Sequence, residues 1–96
     1  MKGVKYDGGK LQWHLLPISP IQEVIKVLMY GAEKYSPDNW MAVPNARERY
    51  YDAAMRHLTA WYSGESNDKE SGLSHLSPCA CCLIFLIWFN FDWEAK

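Results

Sequence analysis

Residues 50–76, YYDAAMRHLTAWYSGESNDKESGLSHL, decide how this chain is read. Tyr50, Ala53, Ala54, His57, Leu58 and Trp61 recur at i, i+3, i+4, i+7, i+8 and i+11, a spacing that places side chains on one face of an α-helix. His57 therefore faces the core side of that helix. Gly64 stops it, and the loop that follows offers Glu65, Asp68 and Glu70, with Ser71 placed to cap a further helix. His75 lies four residues before Cys79, on a stripe that continues through Cys82, Leu83 and Leu86, so the second histidine also faces inward. Two inward histidines bracketing an acidic loop can form a metal or phosphate site.

Each of these residues also has a plain structural reading. An inward histidine on an apolar face is commonly a satisfied core residue, and an acidic loop is commonly a solvated connection. Their clustering is what favours a site. Mg2+ and Mn2+ prefer carboxylate oxygens and reach a protein through a few side chains plus substrate phosphates, which this loop can supply. Zinc fits less well, because Cys79, Cys81 and Cys82 crowd one segment and lack the paired spacing of a zinc site.

Working outward, the sequence predicts an all-α fold of three main helices preceded by an extended amino-terminal arm. The arm, residues 1–17, carries Gly3, Gly8, Gly9 and Pro17 and is too glycine-rich for a regular element. Ser19 can cap a helix with Pro20 at its first position, and Ile21, Val24, Ile25, Leu28 and Ala32 would face inward to an end near Tyr35. Pro37, Asp38, Asn39 and Pro44 make residues 36–45 a loop, after which Asn45 can cap the helix that runs to about Ser63. The third helix has two possible starts: Ser71 with a kink at Pro78, or Ser77 with Pro78 in the first turn. No strong strand, internal repeat or low-complexity segment is evident.

With 96 residues the chain reads as one domain, 1–96, near the size at which oligomerisation completes the burial of a core. Five tryptophans, six tyrosines and three phenylalanines are more aromatic surface than three helices readily hide, which points to a homo-oligomer. A net charge of −1 provides no broad basic field, so nucleic acid is not an expected partner. Residues 1–10, MKGVKYDGGK, lack the apolar stretch of a signal peptide, and a cytoplasmic location is expected. The most apolar run, Cys79 to Phe89, falls well short of the roughly 20 residues a membrane span requires, so no membrane role is expected. Three cysteines within that run read as reduced core thiols.

KYDGGK (5–10), YGAEKYSPDNW (30–40), RYYDAAMRHLTAW (49–61), GESNDKESGL (64–73) and HL (75–76) together resemble the phage-associated dATP/dGTP diphosphohydrolase amino-terminal domain family. The resemblance spans residues 5 to about 89. It implies a relation to the all-α, MazG-like nucleoside triphosphate pyrophosphohydrolases, oligomers that use Mg2+ or Mn2+ to release a monophosphate and pyrophosphate. The implied activity is a metal-dependent (deoxy)nucleoside triphosphate diphosphohydrolase favouring purine dNTPs, in the host cell cytoplasm if phage-encoded. The alternative is a non-catalytic phage protein that binds a nucleotide to sequester it or to regulate a partner. The family pattern has a histidine near position 78 and an asparagine near 82, where this chain has Pro78 and Cys82. The helical ExxE…ExxD signature of MazG-like enzymes is absent, since Glu65 to Asp68 lies in a loop.

Phosphoanhydride hydrolysis needs a cation to neutralise phosphate charge, basic groups to hold the remaining oxygens, and a base to orient water. On the matched positions, Asp68 and Glu70 are the expected metal ligands, and His57, Glu65 and His75 the expected catalytic set. Lys10, Lys34 and Arg56 would hold phosphate, Trp40 would stack on a base, and Asp7 and Asn39 complete the expected substrate contacts.

Overall fold

In the computed structural model, which describes residues 2–91, three α-helices carry the fold: α1 (Ile18–Lys34), α2 (Ala46–Tyr62) and α3 (Leu76–Phe91). Helices α1 and α2 both pack on α3, and the α2–α3 interface is the larger of the two. The all-α expectation holds, and the only pairing of extended backbone among the described residues is an isolated bridge between Asn67 and Ser74. Residues 2–17 form an exposed arm whose one regular feature is a 3-10 turn at Trp13–Leu15. Among the described residues, no helix is long and apolar enough to cross a membrane.

Helix α1 begins one residue before the expected cap. Pro17 occupies the N-cap position, and Ser19 and Pro20 lie within the first turn, where Pro20 forfeits a backbone donor that has no intrahelical partner anyway. Only Val24 of its expected inward set is fully buried, and Ile25 and Leu28 stay 46% and 38% exposed. Its tie to α3 is a close one: the Cys81 thiol donates to the Val24 carbonyl at 3.5 Å.

Asn45 precedes α2 as expected, but in the left-handed region (φ 56°) and without a side-chain cap. Its contribution is a backbone one, its carbonyl accepting from Arg49 N–H at 3.0 Å. The buried face of α2 is narrower than its periodicity indicates, because Leu58 and Trp61 remain 40% and 41% exposed while Ala46 and Ala54 are buried.

Two different packing chemistries join α2 to α3. Near the start of α3, Ala54 meets Cys79 and Cys82, with Tyr50 and Ala53 against them, so small side chains allow the backbones to approach. Further along α3, rings do the work. Trp40, delivered by a 3-10 turn at Asn39–Ala42, stacks on Phe85 with centroids 4.4 Å apart and meets Trp88 and Phe89 edge-on. Tyr50 packs on Phe85 and donates its hydroxyl to the Trp40 carbonyl at 3.2 Å, tying the loop before α2 to the helix itself.

The molecule is not tightly collapsed. Its radius of gyration is 16.8 Å, against about 12.5 Å for a compact chain of this length.

Candidate metal centre at the junction of α2 and α3

The site is built by a helix end, a folded loop and a helix start. Helix α2 closes with a Schellman motif: Glu65 N–H bonds the Ala60 carbonyl at 3.0 Å and Gly64 N–H bonds that of Trp61 at 3.1 Å. The motif requires a left-handed residue, and Gly64 supplies it at φ 107°. The chain thereby reverses, and Glu65 turns back toward the start of α3.

The loop folds on itself around Asp68. Its N–H bonds the Leu73 carbonyl and its own carbonyl accepts from Gly72 N–H, both at 2.8 Å. Its carboxylate accepts from the Ser71 hydroxyl at 2.9 Å, from Ser71 N–H at 3.2 Å and from Glu70 N–H at 3.4 Å. Ser71 therefore does not cap a helix, as its sequence position indicates; its hydroxyl is used on Asp68 and on Leu73 N–H. Partial burial works to raise the Asp68 carboxyl, but the Ser71 and Glu70 hydrogen bonds outweigh it and leave it below its ordinary value.

Of the two possible starts for α3, the structure takes the later: the helix begins at Leu76, and Pro78 sits in the first turn without a kink. His75 consequently stands immediately ahead of the helix, its carbonyl accepting from Cys79 N–H and its own N–H reaching back to Ser66 at 2.9 Å. That placement buries it to 5% exposure.

Both expected inward histidines meet. His57 Nδ1 lies 2.9 Å from His75 Nδ1, and His75 Nε2 lies 2.6 Å from the Glu65 carboxylate. A carboxylate accepts, so His75 donates from Nε2 and its Nδ1 is left as the lone-pair nitrogen facing His57. Burial lowers the His57 imidazole below its ordinary value, favouring its neutral form. Asp68 completes the group: one ligand atom each from His57, Asp68 and His75 lie within 4.8 Å of one another.

Glu70 faces another way. Its carboxylate takes the Lys34 ammonium at 2.7 Å and the Tyr30 hydroxyl at 2.9 Å, pinning the loop to the end of α1. Lys34 and then Tyr30 hold this carboxyl low, while the bond to Glu70 raises both Lys34 and Tyr30. Lys34 is thus tied to the loop through Glu70, two residues after Asp68, and Arg56 is exposed one residue before His57. The sequence reading placed Asp68 with Glu70; the fold places Asp68 with the histidines. That association carried no local signal, because it depends on how the loop closes.

The remaining expected contacts lie elsewhere. Asp7 and Lys10 share a turn of the exposed arm, where Lys10 N–H bonds the Asp7 carbonyl at 3.1 Å. Asn39 and Trp40 line a cleft of about 190 Å³ with Leu28, Tyr35, Tyr50 and Phe85. One face of Trp40 is already stacked on Phe85, whereas Tyr35 is 63% exposed. The three cysteines are free and buried, and none of them belongs to the ligand group.

The fold and this junction define an all-α module whose chemistry is concentrated where two helices and an acidic loop converge. The chain belongs to the family described as dATP/dGTP diphosphohydrolase, N-terminal, whose model matches residues 1–95. It is 35% identical over 88 residues to a dATP/dGTP diphosphohydrolase of Salmonella phage PMBT28, an alignment that covers 92% of this chain and 30% of that protein. The chain therefore spans about a third of the length of this relative. No solved structure matches it significantly.

Proposed function

We propose that this chain handles the nucleotide in a metal-dependent diphosphohydrolase that converts purine deoxynucleoside triphosphates to monophosphates and pyrophosphate. The observation that supports it most is the convergence of His57, Asp68 and His75 beside Lys34, in a family whose phage relative is named for dATP and dGTP. A divalent cation, Mg2+ or Mn2+, would supply neutralisation of phosphate charge. Lys34, paired with Glu70, and Arg56, one residue before His57, would bind phosphate oxygens, with Lys34 exchanging its Glu70 partner for phosphate. Lys10, and Asp7 beside it, would reach the substrate only from the arm. Glu65, which holds His75 Nε2 with one carboxylate oxygen, is suited to orienting a water with the other. The Asn39–Trp40 cleft suits a base, with the Asn39 amide available for a purine edge.

The exposed apolar residues Ile18, Ile25 and Met29 of α1 and Leu83, Ile84 and Ile87 of α3 support self-association in the cytoplasm of a cell, measurable as mass by light scattering.

A second reading draws support from the share of the relative that is matched, about a third of its length. In it the chain is a nucleotide-binding, regulatory part and hydrolysis needs residues beyond those here. Incubation with each nucleoside triphosphate, with and without Mn2+ or Mg2+, separates the two. Monophosphate plus pyrophosphate formed only with metal supports the hydrolase. Stoichiometric binding with the nucleotide returned intact supports the regulatory part, and the absence of both turnover and binding would overturn both readings.

A further inference from the structure

We infer that His57 Nδ1, His75 Nδ1 and one Asp68 carboxylate oxygen form a two-histidine, one-carboxylate centre for an imidazole-preferring first-row divalent ion of the Mn2+ to Zn2+ series, with Glu65 as the group that positions His75. This deepens the metal-dependent reading above by naming ligands and ion class, and it rests on that reading only for its use in hydrolysis.

The geometry carries the inference. Two nitrogens bound cis to one ion at about 2.1 Å lie about 3.0 Å apart in octahedral geometry and about 3.4 Å apart in tetrahedral geometry. The His57 and His75 Nδ1 atoms are 2.9 Å apart, and the group with Asp68 closes within 4.8 Å. A small movement of three side chains therefore reaches bonding distance from a constellation already assembled. The Glu65 bond to Nε2 at 2.6 Å is a second observation pointing the same way. Ligating histidines characteristically donate their other N–H to a carboxylate, which fixes the tautomer that leaves the ligating nitrogen bare. In the metal-free arrangement His57 donates to His75 through Nδ1, and loading requires that proton to move to His57 Nε2, so that the neutral ring presents a bare Nδ1 to the ion.

Charge is consistent with a cation. The start of α3 presents its positive dipole end to this junction, and the carboxylates of Asp68 and Glu65 offset it. Donor type selects the ion: imidazole nitrogen suits the later metals such as Fe and Zn, with Mn2+ at the oxygen-preferring edge of the series, whereas Mg2+ demands oxygen and retains its waters. Three protein ligands leave positions open, the pattern of a working centre and not of a closed structural one.

The test uses the purified chain, stripped with chelator and titrated with Co2+ alone, followed by visible absorption and calorimetry, with circular dichroism confirming the fold of each variant. One Co2+ per chain with imidazole-type absorption bands is expected, together with at least about 100-fold weaker binding of Mg2+. His57→Gln and Asp68→Asn should each abolish the bands. Glu65→Gln should weaken binding by about 10- to 100-fold while the bands keep their positions. No saturable binding by the folded chain, binding unaltered in folded His57→Gln, or thiolate charge-transfer bands assigning the ion to the cysteines would each overturn the inference. An ion bound as described without nucleotide hydrolysis removes the hydrolase reading and leaves the centre standing. Hydrolysis supported by Mg2+ and unaffected by His57→Gln, with no saturable Co2+ binding by the folded chain, does the reverse.

Discussion

His57 and His75 meet nitrogen to nitrogen at 2.9 Å, so a residue on the fourth turn of α2 and the residue immediately ahead of α3 share one polar contact within the main helix interface. With Glu65 on the far side of His75, the three side chains form a continuous hydrogen-bonded row from α2 to the loop. A row of this kind holds the junction in register, because breaking one member strands its neighbours.

Replacing His75 is the severest break, since it removes the partner of both His57 and Glu65. His75→Ala is expected to cost about 2–3 kcal/mol, as loss of a buried hydrogen-bonding group does. His57→Ala, on a half-buried residue, should cost less. Urea unfolding of the two variants checks the order.

Asp68 organises the loop as well as facing the histidines, so its replacement should not be silent for stability. Asp68→Ala removes three acceptor contacts and is expected to cost about 1–2 kcal/mol. Ser71→Ala removes one of them together with the acceptor of Leu73 N–H, and should cost less than Asp68→Ala. Thermal melts of both variants, with the metal titration above, separate the loop's structural role from its binding role.

Trp40 is the anchor of the segment between α1 and α2, stacked on Phe85 and flanked by Trp88 and Phe89. Trp40→Ala should cost about 3 kcal/mol, and Trp40→Phe should recover most of it. If the ring served chiefly as a base platform, Trp40→Ala would instead weaken nucleotide binding and leave the urea midpoint in place.

The cysteines give the chain an alkaline limit. Burial pushes the Cys81 thiol from its ordinary 9.0 to about 12 and that of Cys82 to about 11. Folded thiols stay protonated where unfolded ones ionise, so the unfolded state binds fewer protons and stability falls as pH rises. Full stability is expected below pH 9 and a progressive loss between 9 and 11 or 12, measured as a falling melting temperature. In native protein at pH 8 a disulfide reagent should label the thiols at the rate of unfolding, and Cys81→Ala and Cys82→Ala should each flatten the alkaline decline.

Lys34 and Glu70 form an exposed pair, and such pairs contribute little to stability. Lys34→Gln should leave the melting temperature unchanged. If the ammonium meets phosphate, the same variant should raise the Kd for a nucleoside triphosphate severalfold, read by calorimetry.

Periodicity and turn chemistry made α2, its stop at Gly64 and the inward direction of both histidines legible from residues 50–76 alone, because each is a local property of the backbone and its spacing. Local signals left the start of α3 open, and they misjudged Ser71, which bonds Asp68, and Leu58 and Trp61, which stay at the margin of the interface. Tertiary structure alone chose the pairings: His57 with His75, Glu65 with His75, Glu70 with Lys34 and Tyr30. Those choices depend on how closely Ala54 approaches Cys79 and Cys82 and on where the loop closes around Asp68. The sequence therefore determined which residues could supply the site's chemistry, while packing across the α2–α3 interface decided which of them share it, since contacts between residues distant along the chain have no periodicity to announce them.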